Sequence, residues 1–71
     1  MEKKEIIKIN INNATEDELY KLPGIGKNYA KKIIDYRNEK GKFKKIEDIK
    51  NVAGIGEKKY QKIKNFITVN E

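Results

Sequence analysis

An all-α fold that uses one helix, hairpin, helix unit twice follows from two features of this chain. The segment Leu22-Pro23-Gly24-Ile25-Gly26 is matched 30 residues later by Val52-Ala53-Gly54-Ile55-Gly56, and the likeness continues in register. Glu18 falls on Asp48, Leu19 on Ile49, Lys32 on Lys62 and Ile33 on Ile63. Self-similarity at a fixed period means one structural unit repeated. The second feature is apolar spacing. Leu19 and Leu22, like Ile49 and Val52, stand three apart before each Gly-Ile-Gly, and a lysine-rich stretch with helical apolar spacing follows each turn. Four or five short helices are expected. Residues 1–8 read as an N-terminal arm and 9–69 as the tandem domain, with repeat one at about 14–39 and repeat two at about 44–69.

Ile7, Ile9 and Ile11 alternate with Lys8, Asn10 and Asn12, which suggests a short extended arm laid on the helices, too short and isolated for a sheet. Asn12 and Asn13 suit a turn. Thr15 with Glu18 three residues on forms a capping box, so the first helix is expected to begin at Glu16. The second helix should run from Lys27 to Glu39, burying Ala30, Ile33 and Ile34 with Tyr29 and Tyr36 at the flanks, and Gly41 should end it. Phe43 is expected in the core between the repeats. A third helix over 46–51 has Lys45 where repeat one has its capping Thr15, a loss worth about 1 kcal/mol. A fourth helix over 57–68 would put Tyr60, Ile63, Phe66 and Ile67 on one buried stripe.

Each hairpin has both a backbone and a chemical consequence. Glycine reaches positive φ without a Cβ penalty, so the chain can reverse sharply, and the isoleucine between the glycines can pin the turn to the core. The helix after the turn begins with amides lacking intrahelical partners at the positive end of its dipole, a corner suited to a phosphate oxygen. Lysines come next: Lys27, Lys31 and Lys32 after the first turn, Lys58, Lys59 and Lys62 after the second. One isolated Gly-x-Gly reads most simply as a helix cap. Two copies in register, each trailed by lysines, point to a polyanion.

Composition narrows the functional classes. A chain of 71 residues makes one small domain that buries about 60% of its unfolded surface. Without cysteine or histidine there is no disulfide, thiolate metal site or usual zinc site, and the redox compartment stays open. Serine is also absent, leaving no ordinary nucleophile and base pair. The carboxylates Glu16, Asp17, Glu18, Glu47 and Asp48 stand at matching helix starts, where capping explains them better than Mg²⁺ binding. No stretch approaches the ~20 apolar residues of a membrane helix, and the N-terminus has no signal-like apolar run, so a soluble segment is expected. The net charge of +6 favours a polyanionic partner and is uneven. Residues 1–35 hold seven lysines and six acids, net +1, and residues 36–71 hold ten basic residues and five acids, net +5. Lys40, Lys42, Lys44 and Lys45 form a further cluster around Gly41, for which solubility is the simpler reading.

Taken together, Ile9-Asn10-Ile11-Asn12, Ala14, Glu18-Leu19, Leu22 to Gly26, Ala30, Ile33-Ile34, Tyr36-Arg37, Gly41, Phe43, Glu47-Asp48-Ile49, Val52 and Gly54-Ile55-Gly56 resemble the tandem helix-hairpin-helix domain of ComEA-type competence DNA receptors. The resemblance covers about residues 9–69. It implies sequence-independent binding of double-stranded DNA through the hairpins, Gly24, Ile25 and Gly26 with Gly54, Ile55 and Gly56, aided by Lys27, Lys31, Lys58, Lys59 and Lys62, and no catalysis. It further implies a monovalent cation, K⁺ or Na⁺, at the backbone carbonyls of Leu22, Gly24, Val52 and Gly54. ComEA-type receptors resemble an anchored helix, a linker and this domain. The chain is thus expected to be either an excised, cell-surface domain or a free-standing cytoplasmic relative.

Two departures bear on the site. Ala53 replaces the equivalent of Pro23, and Glu57 stands where the first copy has Lys27. A first-turn acid suits the helix dipole but opposes phosphate, so the first hairpin should make the cleaner contact. A rival reading is a protein-interaction or dimerisation module of a DNA repair complex. It would expose apolar residues such as Tyr20, Tyr29 and Tyr36, whereas a DNA binder needs its hairpin lysines on one exposed face.

Overall fold

A computed structural model of the chain describes residues 8–69. It is mostly helical. The first repeat comprises α1, Glu16–Tyr20, and α2, Lys27–Lys40. The second comprises a 3₁₀ helix, Ile46–Asn51, and α3, Glu57–Ile63, which runs on into a 3₁₀ turn, Lys64–Phe66. The capping box holds as expected: the Glu18 amide donates to Thr15 Oγ1 at 3.2 Å and the Thr15 amide to Glu18 Oε1 at 3.0 Å. Lys45 provides no side-chain cap. The Asp48 carboxylate supplies only the reciprocal half of a capping box, accepting from the amides of Lys44 at 3.1 Å and Lys45 at 3.3 Å.

One continuous core joins the repeats. Leu19, Leu22, Ile25, Ala30 and Ile33 from the first meet Ile49, Val52, Ile55, Tyr60 and Ile63 from the second, with Phe43 buried between them and stacked on Tyr36 at 5.2 Å between ring centroids. The Asn12 side chain fastens this connector. Its Nδ2 donates to the Phe43 carbonyl at 3.0 Å and its Oδ1 accepts from the Phe43 amide at 2.7 Å.

Three expectations need correction. The fold is not strictly all-α, because β1, Ile9–Asn10, pairs in parallel with β2, Ile67–Thr68, and the Ile11 amide extends the ladder to the Thr68 carbonyl at 3.0 Å. The partner strand exists because the fourth helix stops early, where the aromatic and β-branched run Phe66-Ile67-Thr68-Val69 favours extended backbone. For the same reason Phe66 leaves the helical stripe and is 44% exposed, while Ile67 remains in the core. Ile34 is only half-buried, at the core's edge. Of the proposed arm over 1–8, all but Lys8 lies outside the described residues.

Candidate nucleic-acid interface

The two hairpins have the same construction. In each, an isoleucine amide closes a short loop, Ile25 to the Leu22 carbonyl at 3.1 Å and Ile55 to the Val52 carbonyl at 3.0 Å. Both isoleucine side chains are buried, so they anchor the turns from beneath. Positive φ is confined to the first glycine of each pair, 79° at Gly24 and 89° at Gly54. Gly26 and Gly56 are extended, with φ of −91° and −101°, and a Cβ on either would touch nothing within 4 Å. Conformation therefore demands glycine at only one of the two positions in each hairpin.

Gly26 and Gly56 instead occupy the N-caps of α2 and α3, and neither start has a side-chain cap. Among the hydrogen bonds of the described residues, none uses the amides of Gly24, Gly26, Lys27 and Asn28, or of Gly54, Gly56, Glu57 and Lys58. At α1, by contrast, Thr15 caps the helix, while the Asp48 carboxylate binds the amides of Lys44 and Lys45 just ahead of the 3₁₀ helix. Pro23, Gly24, Ala53 and Gly54 are exposed, so these amide corners face water.

The hairpins are also in contact with the opposite repeats. The Lys62 side chain from α3 lies 3.9 Å from where a Cβ on Gly24 would stand. The Tyr29 ring from α2 comes to 2.6 Å of the corresponding point on Gly54. Each turn thus borders the second helix of the other repeat. Lys27, Lys31, Lys32, Lys58 and Lys62 are exposed, and Lys59 is half-buried with its Nζ 4.7 Å from the centre of the Tyr29 ring. Lys32 reaches the same ring at 5.7 Å. The position of Tyr29 under the second turn carries no signal in the sequence beyond its helical register.

Glu57 is engaged rather than free. Its carboxylate accepts from Gln61 Nε2 at 2.6 Å and from Lys50 Nζ at 3.0 Å, and Lys50 also lies over the Tyr60 ring at 5.0 Å. The Gln61 and Lys50 hydrogen bonds hold the Glu57 carboxyl below its ordinary value, and the bond to Glu57 holds the Lys50 ammonium above its own. The negative charge in the second hairpin is therefore partly compensated within the chain.

Of the backbone oxygens expected to face a cation, those of Leu22 and Val52 each already accept one turn hydrogen bond, leaving a second lone pair. The described residues contain no acidic cluster able to hold a metal ion. A neutral carbonyl set of this kind suits a weakly held monovalent ion better than a divalent one.

A family model described as the helix-hairpin-helix motif matches residues 4–68. Over 61 residues, 86% of this chain, the sequence is 54% identical to ComE operon protein 1 of Bacillus subtilis and covers 30% of that protein. It is 46% identical over 63 residues, 89% of this chain, to the endonuclease/exonuclease/phosphatase family domain-containing protein 1 of Danio rerio, 12% of that protein's length. A 63-residue match at 36% identity to S1 RNA-binding domain-containing protein 1 of Pongo abelii takes in 89% of this chain and 6% of that protein. The chain therefore spans less than a third of the length of each of these relatives.

Proposed function

The chain belongs to the helix-hairpin-helix family, and on that footing we propose that it binds double-stranded DNA without sequence preference, through the amide corners of its two hairpins and the lysines beside them. The observation that carries this reading is the pair of matching glycine corners, whose amides have no partner among the described residues. Both helix starts that come after hairpins are left open by glycine, whereas the Thr15 hydroxyl caps α1. Unpartnered amides are satisfied by water or by an anion, and an exposed glycine corner lets a phosphate come close to the main chain.

Each corner takes a phosphate oxygen and the neighbouring ammonium groups neutralise adjacent phosphates. Contacts to backbone alone carry no base information, so unrelated sequences bind alike. With about four to six phosphates neutralised, log K falls against log[salt] with a slope of roughly −4 to −5. A monovalent cation shared between a phosphate oxygen and the carbonyls of Leu22 and Gly24 fits this arrangement, and a weaker one at Val52 and Gly54. The domain acts as a binding module with no reaction of its own. The ComEA-type resemblance supports competence, with DNA uptake, as its setting.

Tyr29 and Tyr36 are committed to contacts within the domain, which leaves Tyr20, 51% exposed, as the one of the three tyrosines available to a protein partner. Tyr20 and Phe66 are the large apolar side chains exposed among the described residues, and two such residues are ordinary on a protein surface, so DNA is the better-supported partner. Fluorescence anisotropy of two unrelated labelled duplexes across a salt series tests the proposal: equal and steeply salt-dependent binding supports it, and no binding at low salt contradicts it.

A further inference from the structure

Tyr29 and Lys59 occupy equivalent positions in the two repeats, 30 residues apart, and they touch. Equivalent residues of a duplicated unit meet only near the axis that relates its copies, so this contact marks the junction of the repeats. The ring edge of Tyr29 also lies against Gly54, and Lys32 stands over the same ring. One side chain from the first repeat therefore supports the second hairpin and holds two ammonium groups, one from each repeat, beside it.

We infer that Tyr29 assembles a composite phosphate-binding cluster, Lys32 with Lys59, at the repeat junction beneath the second hairpin. The inference rests on the DNA-binding reading and extends it to a positioning residue, Tyr29, and a ligating one, Lys32. It also accounts for how a hairpin that carries Glu57 can still face phosphate. The lysine equivalent to Lys27 is missing there, and a lysine borrowed from the first repeat replaces its charge. A cation over an aromatic face stays charged and keeps its outer hydrogens free, so the ring orders both ammonium groups without consuming them. Ordering long side chains before binding lowers the entropy lost on association.

The test compares the whole chain with Tyr29→Phe, Tyr29→Leu, Lys32→Gln/Lys59→Gln, and the triple variant that combines Tyr29→Leu with both lysine changes, with circular dichroism as a check on fold. Anisotropy with a labelled duplex should show Tyr29→Phe within about twofold of wild type, since the phenyl face remains. Tyr29→Leu should bind about five- to tenfold more weakly, with a salt slope shallower by about one. It should add little to the lysine double variant, because all three residues act as a unit. The ring-current shift of the Lys59 side-chain methylenes should disappear in Tyr29→Leu. A Tyr29→Leu protein that loses this shift yet binds like wild type overturns the inference alone, as does equal loss in Tyr29→Phe. A wild-type chain that binds no duplex at low salt overturns the DNA-binding reading as well.

Discussion

Gly54 is held by two constraints where Gly24 is held by one. Both have left-handed backbone, but only at Gly54 would a Cβ also collide with a ring, that of Tyr29. Gly24→Ala is expected to cost about 1–2 kcal/mol for the strained φ. Gly54→Ala should cost more, by about 1 kcal/mol or above, because the Tyr29 ring must move. Thermal unfolding of the two variants side by side checks the order. The sequence showed that both turns needed glycine. It did not show which glycine of each pair was conformational, because a Gly-x-Gly string has the same letters whether the second glycine reverses the chain or leaves a helix start open. Glu57 makes a second residue-scale prediction. Its folded pKa lies below the ordinary 4.5, so its stabilising contacts to Gln61 and Lys50 are present above pH 4.5 and are lost as pH falls through the lower folded value. Acid titration of Glu57→Gln should therefore lack that part of the acid destabilisation. The same variant should bind duplex a few-fold more tightly at neutral pH, since a carboxylate beside phosphate is gone.

At the scale of elements, the helices were legible where a cap, a period and a stop coincided. Thr15 with Glu18 fixed the start of α1, and Gly41 fixed the end of α2 within one residue. The last element was not legible. Tyr60, Ile63, Phe66 and Ile67 fit a helical stripe by spacing, and the β-branched tail competing for extended backbone gave no visible partner until β1 was placed beside it. Asn12 lies in the turn that its sequence suggests, and its side chain also joins the N-terminal segment to the connector carrying Phe43, a contact across 31 residues that no local pattern encodes. Asn12→Ala should cost about 1–3 kcal/mol by leaving the part-buried Phe43 amide and carbonyl without their partner, measured by urea unfolding. The hairpins, equal in backbone, differ in the helices they lead into. The first opens fourteen helical residues beginning with Lys27, and the second opens seven beginning with Glu57. A shorter helix and a first-turn acid both weaken an anion site, so Gly26→Ala should reduce affinity more than Gly56→Ala.

Across the whole molecule, the excess charge and the two open corners favour the same ligand by different routes. Charge steers and is screened by salt, whereas the amide corners set where phosphates rest. The sequence displayed the charge and the duplication in full. It left hidden how the repeats face each other, because that geometry comes from a shared core and from contacts such as Tyr29 with Gly54 and Lys62 with Gly24. The central claim, that exposed hairpin backbone binds DNA phosphates, has a clean probe in Gly26 and Gly56. A methyl group there meets no non-neighbouring atom of the domain within 4 Å and suits the extended φ, while on the proposed reading it would stand where a phosphate approaches the main chain. The decisive measurement is duplex affinity across a salt series for wild type and the Gly26→Ala/Gly56→Ala variant, with the fold verified by circular dichroism. Wild-type binding that is indifferent to sequence, with a slope of about −4 to −5, and a loss of about tenfold or more in the still-folded variant are the predicted result. Equal affinity of the two proteins would contradict it.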